Sequence, residues 1–203
     1  IDAGKVSVSA ATKRPTLASV KTVAGVLRDG DFIASSDAQK AEDCIRSFAW
    51  PLLVQSAGLA RASGAKLALT KAGREALARP AHETIQLVWE RWMGKGLLDE
   101  FNRIDAIKGQ NRKGRRGLTD VTERRSAVQE ALAGCPPGKW MDVDEFFRYF
   151  QASGIEFEVV HDPWTLYIGE AQYGSLGYKD YHKWSMLQGR YAMVLLWEYA
   201  ATL

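Results

Sequence analysis

The densest run of side chains able to do chemistry is Lys108-Gly-Gln-Asn-Arg-Lys-Gly-Arg-Arg-Gly117, which holds five bases and three glycines and no acid. Cations on a segment without an apolar period suit phosphate oxygens, contacts that position a nucleic acid without reading its bases. Lys108, Arg112, Lys113, Arg115 and Arg116 are therefore candidate phosphate ligands, and Arg124 and Arg125 extend the run. A second set, Lys13, Arg14, Arg61 and Lys66, lies in residues 1–80, where 12 Lys and Arg stand against 7 Asp and Glu; residues 81–203 hold 15 against 17. A solvated basic loop without a ligand accounts for the run at 108–117 equally well.

Other chemistry falls short when counted. Gly134-Cys-Pro-Pro-Gly138-Lys139-Trp140 approaches the phosphate-cradling pattern G-x-x-x-x-G-K-[ST], but it is one residue short and carries tryptophan where a hydroxyl must reach magnesium. Its two prolines also remove N–H groups the cradle would use. Tyr173-Gly-Ser175-Leu-Gly177 fails as a nucleophile elbow, which needs glycine at 173. His82, His161 and His182 are scattered; His161-Asp162 and His182 flank one loop, and loop histidines without a metal explain them better. Asp142, Asp144 and Glu145 gather at a helix start, where carboxylates meet the positive end of the helix dipole. Cys44 and Cys135 show neither C-x-x-C spacing nor a histidine cluster, so they predict reduced thiols and not a disulfide or zinc site. No catalytic motif, metal or cofactor follows from the sequence, and it reads as a non-enzyme.

The elements that must position the cations come next. From Leu17 to Leu27 the apolar residues recur at three and four, the period of a helix face. Ser36 offers a cap for a second helix over Asp37–Arg46, and Trp50-Pro51 opens a third, proline being harmless in a first turn. Leu59–Ala62 and Lys66–Leu69 read as strands around Ser63-Gly64, a hairpin turn. Thr70 sits where an N-cap belongs, and Lys71–Ala78 continues as helix up to Pro80.

This order of helix, strand, turn, strand and helix resembles the second half of a winged helix-turn-helix. Leu67-Ala-Leu-Thr-Lys-Ala-Gly73-Arg74 resembles the passage from wing to closing helix in many bacterial proteins of that superfamily, an L-T-x-x-G run. The resemblance implies that the third helix is the recognition helix. Its residues Trp50, Leu52, Leu53, Val54, Gln55 and Ser56 include no Arg, Lys or Asn to reach a base edge, so it suits a core or a protein interface better.

Beyond Pro80, Ile85, Val88, Trp89 and Trp92 form one apolar stripe and Leu97, Leu98, Phe101 and Ile104 another, predicting a helical hairpin over 81–107. Thr119 or Thr122 can cap a helix running to Ala133, and Val143, Phe146, Phe147 and Phe150 share a face of the next. Ile155, Phe157 and Val159 alternate with Glu156 and Glu158 as in a half-wet strand. Residues 161–180 read as a long loop or small hairpin whose aromatics, with Trp164, Tyr173 and Tyr178 foremost, either bind a partner or roof the apolar final helix, Tyr181–Leu203.

The expected fold is mainly α with small β-wings. It comprises a winged-helix domain (1–80), a helical hairpin connector (81–107), a basic linker (108–117) and a second helical, winged-helix-like domain (118–203). The chain starts without methionine and stops inside an apolar helical run, which predicts a fragment of a longer polypeptide. Neither a signal peptide nor a run of about 20 apolar residues occurs, which predicts a cytoplasmic protein. The tandem arrangement resembles accessory regions of bacterial DNA-processing proteins, such as those of XPB-like helicases. That resemblance implies a non-catalytic DNA-binding module working beside the rest of a larger polypeptide. The alternative is a protein-interaction module using Trp50, the apolar third helix and the aromatic loop.

Overall fold

The computed structural model describes residues 1–95, 97–104, 117–161 and 184–203 in full, and the backbone alone of 107–108, 111–112, 115–116 and 167–168. The fold is mainly helical with small antiparallel strand pairs, and no described helix is long and apolar enough to cross a membrane. The chain divides into two compact units, Ile1–Leu98 with Leu196–Leu203, and Asp99–Leu195.

The first unit begins with an extended segment at Val6–Val8 and helix α1, Leu17–Ala24, capped by Thr16, whose side chain accepts from the Ser19 N–H. The helix expected over Asp37–Arg46 is absent; a single 3-10 turn, Ala41–Asp43, takes its place. The Asp43 carboxylate accepts the N–H groups of Gln39 and Lys40, each at 2.9 Å, and this local bonding competes with helix formation. Helix α2, Arg46–Ser56, starts four residues before the expected Trp50 and so holds Pro51 in its interior.

Strands β1, Ala60–Ser63, and β2, Lys66–Leu69, then form an antiparallel hairpin in which Ala60 faces Leu69 and Ser63 faces Lys66. Gly64 makes the turn at φ +58°, a left-handed conformation that glycine adopts freely. The segment around Ser7 joins the other edge of β2. Inward-facing Val6, Val8, Ala60 and Leu67 form a small core, with Val23 and Val54 packed against it.

Helix α3, Lys71–Ala76, gives the L-T-x-x-G run a physical account. Thr70 accepts the Gly73 N–H at 3.0 Å through its hydroxyl oxygen and donates the same hydroxyl to the Gly58 carbonyl at 2.8 Å. Gly73 is buried so closely against β1 that a Cβ there would come within 2.9 Å of the Leu59 carbonyl carbon and closer still to its oxygen. Only glycine lets α3 seat on the base of the hairpin. Helix α4, Ala81–Met93, and the turn Ala200–Thr202 both pack on α2, and Trp92 meets Trp89 edge to face and the tilted ring of Tyr199 at centroid distances of 5.3 and 5.7 Å.

In the second unit the stripe after α4 gives only a 3-10 turn, Glu100–Arg103, not the second arm of a helical hairpin. The division between units falls at Leu98–Asp99, ahead of the basic run in which a linker was expected. That run lies within the second unit. Its backbone forms β3, Ile107–Lys108, and the pair β4, Asn111–Arg112, with β5, Arg115–Arg116. β3 pairs with β6, Tyr167–Ile168, so the run is tied to a segment some sixty residues on.

Helices α5, Val121–Ala133, and α6, Val143–Ala152, follow, capped by the side chains of Asp120 and Asp142. Asp120, and neither of the two threonines, is the cap of α5. Phe157 and Val159 point inward and Glu156 and Glu158 outward as expected, although no regular strand forms and one bridge, Leu118 to Val160, holds the segment. The final helical stretch runs from Ser185 to Thr202, with α7, Arg190–Val194, between wider turns. It buries Leu187, Tyr191 and Leu195, while Trp197 is exposed.

Candidate nucleic-acid interface

Alternation along the hairpin decides which cations reach solvent. Directly opposed residues of an antiparallel pair share a face. Ala60 with Leu69 and Ala62 with Leu67 turn inward, so Arg61 with Ala68 and Ser63 with Lys66 turn outward. Lys5 precedes the inward Val6 and is exposed, on the same side as the half-buried Ser7, which bridges Lys66 on the far edge. Lys5, Arg61 and Lys66 therefore stand on one exposed face, and none of them has an acidic partner among the described residues. The run from Ala60 to Arg74 contains no acid at all. Sequence reading named Arg61 and Lys66 and missed Lys5, although the pattern Lys5-Val6-Ser7-Val8 already set its side.

Lys13 and Arg14 are placed differently. Lys13 adopts a left-handed φ of +60°, its ammonium donates to the Ala10 carbonyl at 2.7 Å, and its own carbonyl accepts Gln55 Nε2 at 3.0 Å. Arg14 pairs with Glu42 at 3.3 Å. Both cations thus fasten a turn.

Helix α2 presents no exposed residue: Arg46, Trp50, Val54 and Gln55 are half-buried and the others buried. Its positive N-terminal end is occupied by Asp31, which accepts the N–H groups of Ile45 and Arg46 at 3.1 Å and of Ser47 at 2.8 Å, together with the Ser47 hydroxyl. Burial pushes this carboxyl up, but the Ser47 bonds and the other two N–H groups outweigh it and hold the pKa below its ordinary value. A helix end so satisfied has no N–H left for a phosphate. Arg46 also donates to the Gly30 carbonyl at 2.9 Å and lies over Phe32. Trp50, named as a partner anchor, is half-buried on this covered helix.

Of the cations in the run 108–117, Lys108, Arg112, Arg115 and Arg116 lie in β3 to β5, where the backbone alone is described; Lys113 falls outside the described residues. Trp164, Tyr173 and Tyr178 also lie outside them. Trp184, from the same aromatic group, is half-buried and packs edge-on against Phe147 and Phe150 at 5.1 and 5.4 Å.

Arg124 and Arg125 are not part of a basic surface, because both are fully buried. Arg124 clasps Asp99 with bonds of 3.2 and 2.7 Å and lies over the adjoining rings of Phe101 and Tyr191, its guanidinium carbon 5.0 Å from each centroid. Arg125 bonds Glu100 Oε1 at 2.8 and 3.0 Å, and the Tyr191 hydroxyl donates to Glu100 Oε2 at 2.8 Å. Burial, then the adjacent Glu100 charge, pushes the Tyr191 phenol well above its ordinary value, so it stays protonated and donates. A sequence signal for this cluster existed: Val121, Arg124, Arg125 and Val128 share the i, i+3, i+4, i+7 stripe that faces a core.

His82 and His161 are exposed, while Asp162, His182 and Ser175 lie outside the described residues. Among the described residues no three His, Cys, Asp or Glu side chains gather closely enough to hold a metal ion. Cys44 and Cys135 are thiols outside any disulfide, and burial raises the Cys44 thiol above its ordinary pKa, with Asp31 and Asp43 adding to the effect. No family model matches the chain, and neither a curated protein nor a solved structure is significantly similar to it.

Proposed function

We propose that the first unit is a winged helix-turn-helix in which the wing, not the third helix, touches nucleic acid. The module is a non-catalytic DNA-binding part of a larger cytoplasmic DNA-processing protein. The observation that carries this reading is the acid-free outer face of the β1–β2 hairpin, where Lys5, Arg61 and Lys66 are exposed and have no acidic partner among the described residues. With the N-terminus of α2 capped by Asp31 and none of its residues fully exposed, contact falls on phosphates and is insensitive to sequence. Lys108, Arg112, Lys113, Arg115 and Arg116 form a second proposed phosphate contact, in the other unit.

Fluorescence anisotropy of a labelled random duplex, measured against salt, tests the reading. Each neutralised phosphate contributes about −0.9 to the slope of log affinity on log salt. Replacing Lys5, Arg61 and Lys66 by alanine therefore flattens the slope by roughly two to three units, and replacing Arg112, Lys113, Arg115 and Arg116 by roughly three to four. Both variants weaken all sequences alike. An absence of binding by the wild type at low salt overturns the proposal for the module; an unchanged slope in the triple variant overturns it for the wing.

A further inference from the structure

In the second unit, the turn between α5 and α6 presents Trp140 fully to solvent, at 104% relative exposure, with Met141 and Val143 exposed beside it. Gly138, at φ +71°, reverses the chain just before them. The turn is held at both ends. Met141 lies against Cys135, sulfur to sulfur 3.9 Å, and the Tyr149 ring packs onto Gly134 so tightly that a Cβ there would come within 2.9 Å of its Cζ. A tryptophan left in water on an anchored turn is the residue type that most often carries an interface.

Charge decides what would cover it. Asp142, Asp144 and Glu145 are exposed around Trp140, and the exposed surface of residues 117–161 carries eight acids against two bases, Lys139 and Arg148. At Trp140 itself, next to Asp142, Asp144 and Glu145 in the chain, such a field disfavours phosphates, whether of nucleic acid or of an anionic membrane, and attracts cations. We infer that this patch docks a basic, apolar segment of a partner protein, an apolar side chain covering Trp140 and flanking Lys or Arg meeting Asp144 and Glu145. This surface is separate from the wing and serves a different class of ligand, so the two readings fail independently.

The probe is a short synthetic peptide alternating Lys and Leu, with a Glu and Leu counterpart, titrated into the full chain carrying 5-fluorotryptophan. The Trp140 fluorine resonance is assigned by its loss in Trp140→Phe. The expected result is a saturable shift of that resonance with the Lys peptide and none with the Glu peptide. Anisotropy of the labelled Lys peptide should show affinity reduced about tenfold in Trp140→Ser and in Asp144→Lys/Glu145→Lys, a range typical of loss of a central anchor or of its matching charges. Full exposure of Trp140 makes Trp140→Ser neutral for folding, and an unchanged circular dichroism melt verifies this. The inference is overturned by a Trp140 resonance indifferent to the Lys peptide, by equal response to both peptides, or by a shift with short duplex DNA instead. A shift that follows the protein's own concentration also overturns it, by making a second copy the occupant.

Discussion

Arginine does opposite work in the two units. On the first, Arg61 lies on an exposed strand face beside Lys5 and Lys66, its charge free for a ligand. In the second, Arg124 and Arg125 are fully buried, each bound to a carboxylate from the segment that opens the unit. Around them the described surface of residues 117–161 is acidic, so charge has been moved inward and its opposite left outside. The contrast teaches that a run of bases is a statement about function only once its partners are known. A buried guanidinium is a fastening, and an exposed unpaired one is a means of contact.

The sharpest way to break this comparison is to remove one partner from the buried set. Arg125→Met leaves Glu100 charged in the core with the Tyr191 hydroxyl as its remaining described donor, and breaking a buried pair in this way costs about 3–5 kcal/mol. Urea denaturation should show the second unit unfolding early while the first holds. Restoring neutrality with Glu100→Gln, whose amide oxygen still accepts from Tyr191, should recover most of the loss in the double variant, because a buried pair is often replaceable by matched neutral groups. If Arg125→Met is as stable as wild type, the pair is not the fastening it is described as here.

A smaller effect is expected at the base of the hairpin. Gly73→Ala forces a Cβ into the Leu59 carbonyl, and backbone cannot step aside as a side chain does. Overpacking of this kind costs about 1–3 kcal/mol. The melting temperature of the first unit should fall and that of the second stay put. An unchanged first transition would mean that α3 slides at no cost, and the fit of the L-T-x-x-G glycine would lose its explanation.

How much of this was legible in the sequence depended on how far apart the interacting residues lie. The hairpin turn at Gly64, the Thr70 cap and the inward set Ala60 and Leu67 arise from neighbours, and local pattern predicts them. The helix expected over Asp37–Arg46 failed through a local bond, Asp43 to Gln39 and Lys40, whose strength composition does not reveal. The start of α2 was misplaced because its cap, Asp31, comes from 14 to 16 residues upstream, and proline at 51 suggested a first turn that tertiary bonding had already begun at Arg46. Arg124 and Arg125 looked like surface because their carboxylates are 25 residues away. Lys5, Arg61 and Lys66 lie far apart in sequence, and only strand pairing puts them on one face.

The mildest test bears on why α2 does not take a phosphate. Asp31→Asn keeps the shape of the cap but removes its charge and turns an amide NH₂ toward N–H groups that need an acceptor. Loss of a helix cap costs about 0.5–2 kcal/mol. Because the folded pKa of Asp31 lies below its ordinary value, the carboxylate stabilises the fold most above the unfolded carboxylate pKa, about 3.9, and loses that contribution as pH falls through the lower folded value. The gap in unfolding free energy between wild type and Asp31→Asn should hold steady from neutral pH down to about pH 5 and narrow below about pH 4. Urea titrations at pH 7, 5 and 3 read that gap directly. A gap that stays constant at pH 3 would mean the four donors do not favour the charged form, and the N-terminus of α2 would then return as a place for a phosphate to bind.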